Sequence, residues 1–127
     1  MIISTPPALE QWHAIVNQRD NRGLEAILSA NVIFRSPYVW EPYMGREAAL
    51  RILSMVADVF QDFQYCREVI EKNQWALEFS ARVGEFEIHG IDLIHLDENG
   101  QIDEFEIFIR PANGLRALGL EMVRRLR

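Results

Sequence analysis

The sequence has few of the residues that build disulfide, phosphate-binding and membrane-spanning structures. Cys66 is the single cysteine among 127 residues, so no internal disulfide can form, which is typical of a reducing compartment. Thirteen basic against nineteen acidic residues give a net charge of -6, which disfavours binding to a phosphate backbone. Residues 1–7 lack the basic head of a signal peptide, and no apolar run is long enough to span a bilayer. We therefore expect a cytoplasmic protein that binds neither nucleic acid nor membrane.

The composition that remains is that of an ordinary globular chain. Hydrophobic residues make up 49% and aromatic residues 10% of the sequence. A chain of this length buries roughly two thirds of its unfolded surface, and it is too short for two domains of typical size. We expect a single domain over residues 1–127. No glycine-rich phosphate loop occurs, so no nucleotide or other cofactor is expected.

Hydrophobic periodicity predicts an alternation of helices and strands. Apolar residues at helical spacing predict helices over 6–19, 24–29, 46–60 and from about 115 to the end, with Thr5 suited to start the first one. Strand-like patterns cover 32–36, 63–70, 75–83, 85–96 and 101–110, and Asn99-Gly100 is typical of a hairpin turn. The order predicts an α+β fold, in which N-terminal helices lie on one face of a curved, mostly antiparallel sheet. The closing helix either covers the pocket or swaps onto a partner.

Asp92 is the main candidate for chemistry, because it interrupts an otherwise apolar strand face. Its neighbours at period two on that face are Phe86, Ile88, Gly90, Ile94 and Leu96. A carboxylate there is costly unless it is paired or protonated, and burial raises its pKa into the range where a carboxyl acts as acid or base near neutral pH. The alternative is a structural aspartate that accepts backbone N–H groups at a bulge beside Gly90.

Aromatic and apolar residues around Asp92 predict a pocket for a small hydrophobic molecule. Trp12 and Trp40 either form an aromatic mouth for a flat ligand or only fill the core between helices and sheet. Phe105 and Ile107 lie on the apolar face of the last strand. The residues expected to contact the ligand are Trp12, Val16, Ser36, Trp40, Phe86, Ile88, Ile94, Phe105 and Ile107.

The three histidines do not predict a metal site, since none has ligand-like spacing to another histidine, to Cys66 or to a carboxylate. His13 is expected at the surface. In a regular strand His89 and His95 point away from Asp92, whereas a bulge at Gly90 would turn His89 toward it. We expect no bound metal.

The strand that carries Asp92 is apolar on its other face as well. Ile91 and Leu93 lie opposite Asp92, yet the helices can cover only one face of the sheet. A homodimer through the outer sheet face is the simplest way to cover the second.

Several segments together resemble a known family. The element order, Ser36-Pro37, Glu41-Pro42, Gly45, the run Gly90-Ile91-Asp92-Leu93-Ile94 and Asn99-Gly100-Gln101-Ile102 resemble the nuclear transport factor 2-like superfamily. Within it, the chain is most similar to the SnoaL-like polyketide cyclase group and to ketosteroid isomerase, from Leu9 to about Arg110. The resemblance implies a cone-shaped sheet and a homodimer, but this fold carries many activities.

The resemblance also implies roles for single positions. The isomerase's proton-abstracting aspartate falls on Ser36, its hydrogen-bonding tyrosine on Trp12 and its protonated second aspartate on Asp92. The arginine and aspartate of the epoxide hydrolases fall on Gly90 and Ile107. Steroid isomerase and epoxide hydrolase activity are therefore disfavoured.

The SnoaL-like cyclases resemble the chain best, because their acid/base aspartate falls on Asp92. The resemblance implies a cyclase, isomerase or lyase that acts on a hydrophobic carbonyl compound, with Asp92 as acid/base or hydrogen-bond donor. The alternative is a non-catalytic domain of the same fold that binds a small ligand or serves as a dimeric scaffold.

Overall fold

Four helices and six strands make up residues 6–126, the part of the chain that the computed structural model describes. The helices are α1 (Pro7–Gln18), α2 (Asn21–Ile27), α3 (Arg46–Val59) and α4 (Ala112–Leu126). The strands are β1 (Leu28–Arg35), β2 (Tyr43–Met44), β3 (Gln61–Glu71), β4 (Gln74–Val83), β5 (Phe86–Leu96) and β6 (Ile102–Arg110).

The strands form one curved, unclosed sheet in the order β2-β1-β6-β5-β4-β3. β1 runs parallel to β6, and every other neighbouring pair is antiparallel. The predicted α+β architecture with a mostly antiparallel sheet is confirmed.

Strict alternation along β4 and β5 builds the inner face of the sheet. Every second residue of β4, from Trp75 to Val83, is buried, and β5 follows the same rule from Ile88 to Leu96. The register between these strands is continuous, which places Asp92 directly opposite Leu77 of β4 and Ile107 of β6. Asp92 therefore lies on the inner face of the sheet, where α1 and α3 pack.

In the first half of the chain, the starts of α2 and β1 differ most from the sequence prediction. The Asp20 side chain accepts a hydrogen bond from the Gly23 N–H, so α2 begins at Asn21 rather than at Leu24. β1 begins at Leu28, four residues earlier than predicted, because this fully buried leucine pairs with Ile102. The expected helix start at Thr5 lies outside the described residues.

The segment between β1 and α3 contains a short strand that the sequence prediction treats as a loop. Tyr43 and Met44 form β2 and pair with Phe34 and Ile33 at the edge of the sheet. A two-residue strand shows no alternation that a pattern could reveal.

Helix α4 packs on the sheet of its own chain. Gly114 lies against Ile88 so closely that an added Cβ would be 2.3 Å from its Cγ2 atom. Gly119 makes room in the same way for the ring of Tyr38. The helix thus covers one end of the inner face, next to the cavity that contains Asp92 but not as part of its wall.

Candidate active site

A cavity of about 290 Å³ lies between α1, the start of α2, α3 and the inner face of the sheet. Its floor is formed by Trp12, Tyr65, Asp92, Phe105 and Ile107. The walls are apolar side chains of the helices. The mouth is polar and exposed, with Asn17, Arg19, Asp20, Asn21 and Asp62 around it.

Asp92 is the one buried charged residue among residues 6–126, with 5% of its surface exposed. Its Oδ2 atom accepts a hydrogen bond from the Tyr65 hydroxyl at 2.6 Å. Within the described chain no backbone N–H reaches this carboxyl, and β5 has no bulge at Gly90. The pocket interpretation of Asp92 is thus favoured over that of a structural aspartate at a bulge.

Burial changes the acidity of Asp92. Desolvation raises the pKa of this carboxyl from 3.8 to about 7, although the hydrogen bond from Tyr65 acts in the opposite direction. Burial disfavours the charged form, whereas a donated hydrogen bond stabilises it. Asp92 therefore exists in comparable amounts as acid and as carboxylate near neutral pH.

Tyr65 connects Asp92 to helix α1. Its hydroxyl oxygen accepts a hydrogen bond from the Trp12 Nε1–H at 2.9 Å while it donates to Asp92. Burial, and after it the nearby Asp92, raises the pKa of Tyr65 well above its ordinary value of 10. Tyr65 thus remains a neutral donor at any physiological pH.

Neighbouring contacts fix the positions of Trp12 and Tyr65. The Trp12 ring packs edge-on against Phe105 with 5.5 Å between ring centroids, and Tyr65 packs edge-on against Phe63 at 5.0 Å. On the outer side of Trp12, the Nε2 atom of His13 lies 2.6 Å from Glu68 on β3. Helix α1 is thus attached to β3 by two side-chain hydrogen bonds, Trp12 to Tyr65 and His13 to Glu68.

Five of the predicted site residues come together in this cavity. Trp12, Val16, Asp92, Phe105 and Ile107 all line it. Their grouping follows from two patterns, the apolar stripe of α1 and the inner faces of β5 and β6.

The other five predicted residues lie elsewhere. Ile88 and Ile94 are buried in the core, where Ile88 is covered by α4 and Ile94 pairs with Trp75. Phe86 is 37% exposed at the start of β5. Sharing a strand face with Asp92 does not place a residue at the cavity, because different helices cover different parts of one long strand.

Ser36 and Trp40 line a second, more open recess beside β6, which shares Ile107 with the Asp92 cavity. The Ser36 hydroxyl accepts hydrogen bonds from the N–H groups of Tyr38 and Val39, so it stabilises its own loop. Trp40 is 92% exposed. Trp12 thus lies on the floor of the Asp92 cavity and Trp40 lies outside it, so the two do not form the expected aromatic mouth.

Sequence reasoning missed Tyr65, although a signal was present. Phe63 and Tyr65 alternate at the start of β3, which indicates that both point inward, and a buried tyrosine needs a partner for its hydroxyl. The pairing register that brings Tyr65 to Asp92 runs across three strands, and no local pattern in the sequence contains it.

The histidines of β5 lie on the outer sheet face, as predicted for a regular strand. His89 Nε2 is 3.2 Å from a carboxylate oxygen of Glu78, and His95 Nδ1 is 2.6 Å from Asp103. A bulge in β6 turns Asp103 and Glu104 toward the same face, so that ligand-type atoms of His95, Asp103 and Glu104 lie within 4.8 Å of one another. We assign no metal to this group, because its two closest atoms already hydrogen-bond each other.

Solved structures provide the comparison with known proteins. A steroid delta-isomerase from Pseudomonas aeruginosa has a TM-score of 0.91 and 45% sequence identity, covering 94% of this chain and 88% of its own. An uncharacterised protein with a cystatin-like fold from Silicibacter pomeroyi has a TM-score of 0.90 and 35% identity, covering 94% of this chain and 84% of its own. No protein-family model matches the sequence, and no curated protein does.

More distant structures share the fold alone. A nuclear transport factor 2-like protein of unknown function from Cytophaga hutchinsonii has a TM-score of 0.68 at 18% identity, covering 89% of this chain and 96% of its own. The two relatives above 30% identity show the family, and they have the same fold as these neighbours. The chain belongs to the nuclear transport factor 2-like superfamily.

Proposed function

We propose that the chain is a cofactor-independent enzyme that moves a proton on a hydrophobic carbonyl compound, with Asp92 as its acid–base group. The observation that carries this proposal is the position of Asp92, a buried carboxyl on the floor of an apolar cavity with a pKa near 7. A general base acts best when its pKa lies close to the working pH. Perturbed carboxyls in clefts are frequent at catalytic sites.

The chemistry follows from the two oxygens of Asp92. Oδ2 is occupied by Tyr65, which leaves Oδ1 for the substrate. The carboxylate takes a proton from the carbon next to a carbonyl group, and the electron pair of the broken C–H bond moves into an enolate. Return of the proton to another carbon gives isomerisation. In cyclisation the enolate carbon instead attacks a second carbonyl carbon, and Asp92 returns its proton to the alkoxide oxygen that forms.

The relative from Pseudomonas aeruginosa that is called a steroid delta-isomerase supports proton transfer on a ketone. Ser36, however, stands where the resemblance places the isomerase's base, and it lies outside the Asp92 cavity. Asp92 is then both the base that takes the proton and the acid that returns it. We therefore expect substrates with an already acidic C–H bond, such as a carbon between two carbonyl groups, in preference to steroids.

The test is exchange of substrate hydrogen for deuterium. The protein is incubated in D₂O with hydrophobic 1,3-diketones, simple aryl ketones and a Δ5-3-ketosteroid, and deuterium incorporation is followed by NMR. We expect exchange into the diketones above the buffer rate. The rate should rise about tenfold per pH unit below pH 7 and then level off, because only the carboxylate form is a base.

The Asp92→Asn variant should lose this enzymatic exchange, typically by at least two orders of magnitude. Asp62→Asn is the matched control, since it alters an exposed aspartate at the mouth of the same cavity and should keep most of the rate. Tight binding of the diketones without exchange would favour the alternative of a ligand-binding domain. Exchange that survives Asp92→Asn would contradict the assignment of the base.

Exposed apolar side chains on the outer sheet face support a homodimer. Ile91, Leu93 and Phe108 are 38%, 42% and 48% exposed, and strand pairing brings them together. A second copy that covers this face leaves the cavity open, because the cavity lies on the inner face.

The exposed thiol of Cys66 is compatible with the cytoplasmic location included in the proposal.

A further inference from the structure

Trp12 does more than line the cavity, because it is connected to Asp92 through two hydrogen bonds that share the Tyr65 hydroxyl group. An indole nitrogen can donate a hydrogen bond but cannot accept one. Its bond to the Tyr65 oxygen therefore has only one possible direction, with Trp12 as donor. A carboxylate, in turn, can only accept.

These two constraints fix the orientation of the Tyr65 hydroxyl group. With Trp12 donating to its oxygen, the single hydroxyl proton of Tyr65 is free to point at Asp92 Oδ2, 2.6 Å away. A hydroxyl that accepts one hydrogen bond becomes a stronger donor in the next, since the bonds in a chain polarise one another. Oδ2 is thus held as an acceptor, and a proton on Asp92 resides on Oδ1.

We infer that Trp12 is a positioning residue that acts through Tyr65 to direct the free oxygen of Asp92, Oδ1, at the substrate. This inference rests on the proposed function, because it names how the acid–base group of that same site is oriented. This role differs from packing against the cavity, since it depends on the Nε1–H group of Trp12. Trp12 is therefore expected to change the pKa of Asp92 only when Tyr65 carries its hydroxyl group.

The experiment measures the pKa of Asp92 by carboxyl NMR titration without any substrate. Trp12→Phe should raise the pKa of Asp92 by a few tenths of a unit, because a weaker hydrogen bond from Tyr65 stabilises the carboxylate less. Tyr65→Phe should raise it by about one unit, a tenfold change in the ionisation constant, because the hydrogen bond is lost altogether.

Trp75→Phe is the matched control. Trp75 is fully buried like Trp12, yet its Nε1 atom has no hydrogen-bond partner within residues 6–126. The Trp75→Phe substitution removes the same side-chain volume as Trp12→Phe but breaks no hydrogen bond, so it should leave the pKa of Asp92 unchanged. Where Trp12→Phe fails to fold, a benzothiophene analogue of tryptophan introduced at position 12 keeps the ring size and removes only the N–H group.

The double variant decides between an indirect and a direct effect. In the Tyr65→Phe background, Trp12→Phe should cause no further shift of the pKa. An equal shift in both backgrounds, or no shift in either, would overturn the inference. Because the titration needs no turnover, it can succeed when the deuterium exchange of the proposed function fails, and the reverse.

Discussion

At the residue scale, the cavity floor combines a group that is costly to bury with a group that makes its burial tolerable. Asp92 has lost nearly all contact with water, and Tyr65 replaces part of that hydration with one short hydrogen bond. One neutral donor does not restore the full solvation of a carboxylate. The raised pKa of Asp92 is the direct result, and it links the proposed activity to a loss of stability.

This link predicts how Asp92 affects stability with pH. The folded-state pKa of about 7 lies above the unfolded value of 3.8, so the folded chain keeps a proton that the unfolded chain releases. Raising the pH from 4 to 8 therefore costs stability, and the cost is complete above pH 7. Asp92→Asn removes this pH dependence. The change that the substitution causes in the free energy of unfolding should therefore be more favourable at pH 8 than at pH 4, by roughly 4 kcal/mol.

Urea unfolding of both proteins at the two pH values measures this difference. Glu98→Gln is the control, because it alters an exposed residue in the turn between β5 and β6 and should change the unfolding free energy only slightly. A pH-independent effect of Asp92→Asn would show that the carboxyl has the same pKa in both states.

At the element scale, the sequence predicted most helices and strands because each carries its own period. The alternation of β4 and the apolar stripe of α1 were both visible. The bulge in β3 between Tyr65 and Glu68 was not, since bulges depend on pairing with a neighbouring strand. Ile88 was predicted at the ligand for a related reason, because its strand face was correct while the helix that covers it was unknown.

The contact between α4 and β5 predicts a stability effect at Gly114. A Cβ at this position would lie 2.3 Å from Ile88 Cγ2 and 3.2 Å from the Glu87 carbonyl oxygen, so helix and strand must separate. Ile88 is 3% exposed and has little room to move. We expect Gly114→Ala to lower the free energy of unfolding by about 1 to 3 kcal/mol in denaturant titrations.

Gly119→Ala on the same helix is the comparison. The atoms that its Cβ would meet belong to the ring of Tyr38, which is 52% exposed and can swing toward solvent. Alanine also favours the helix by up to about 1 kcal/mol over glycine. Its cost should therefore be clearly smaller than that of Gly114→Ala. Equal losses at both positions would contradict the tight contact with Ile88.

At the scale of the whole molecule, the sequence predicted the fold better than the site. Fold follows from many elements that agree, so a wrong boundary at Leu28 or Asn21 changes little. The site depends on a few side chains that meet from distant parts of the chain, such as Trp12, Tyr65 and Asp92. Asp92 could be identified from the sequence, because a charged residue on the apolar face of one short segment is unusual. The role of Tyr65 follows only from its contact with Asp92, which lies far away in the chain.

The apolar residues of the outer sheet face predict that two copies of the chain form a dimer through this face. Strand pairing joins Val69, Ala76 and Leu93 in one row, and places Ile91 beside Phe108 in the next. Apolar side chains in contact across three or more strands form a patch that a second copy can bury, and a stable interface takes about a tenth of the surface of a small protein. We expect a dimer in sedimentation experiments at micromolar concentration.

Leu93→Asp should weaken this dimer at least tenfold, because it places a charge at the centre of an apolar interface. Leu120→Asp is the control, since Leu120 is 64% exposed on α4, away from the sheet face, and its replacement should leave the dimer intact. Because Asp92 lies on the opposite face of the same strand, the Leu93→Asp monomer also tests whether the site works alone. A monomeric parent protein, or a dimer indifferent to Leu93→Asp, would mean that this face does not join two copies.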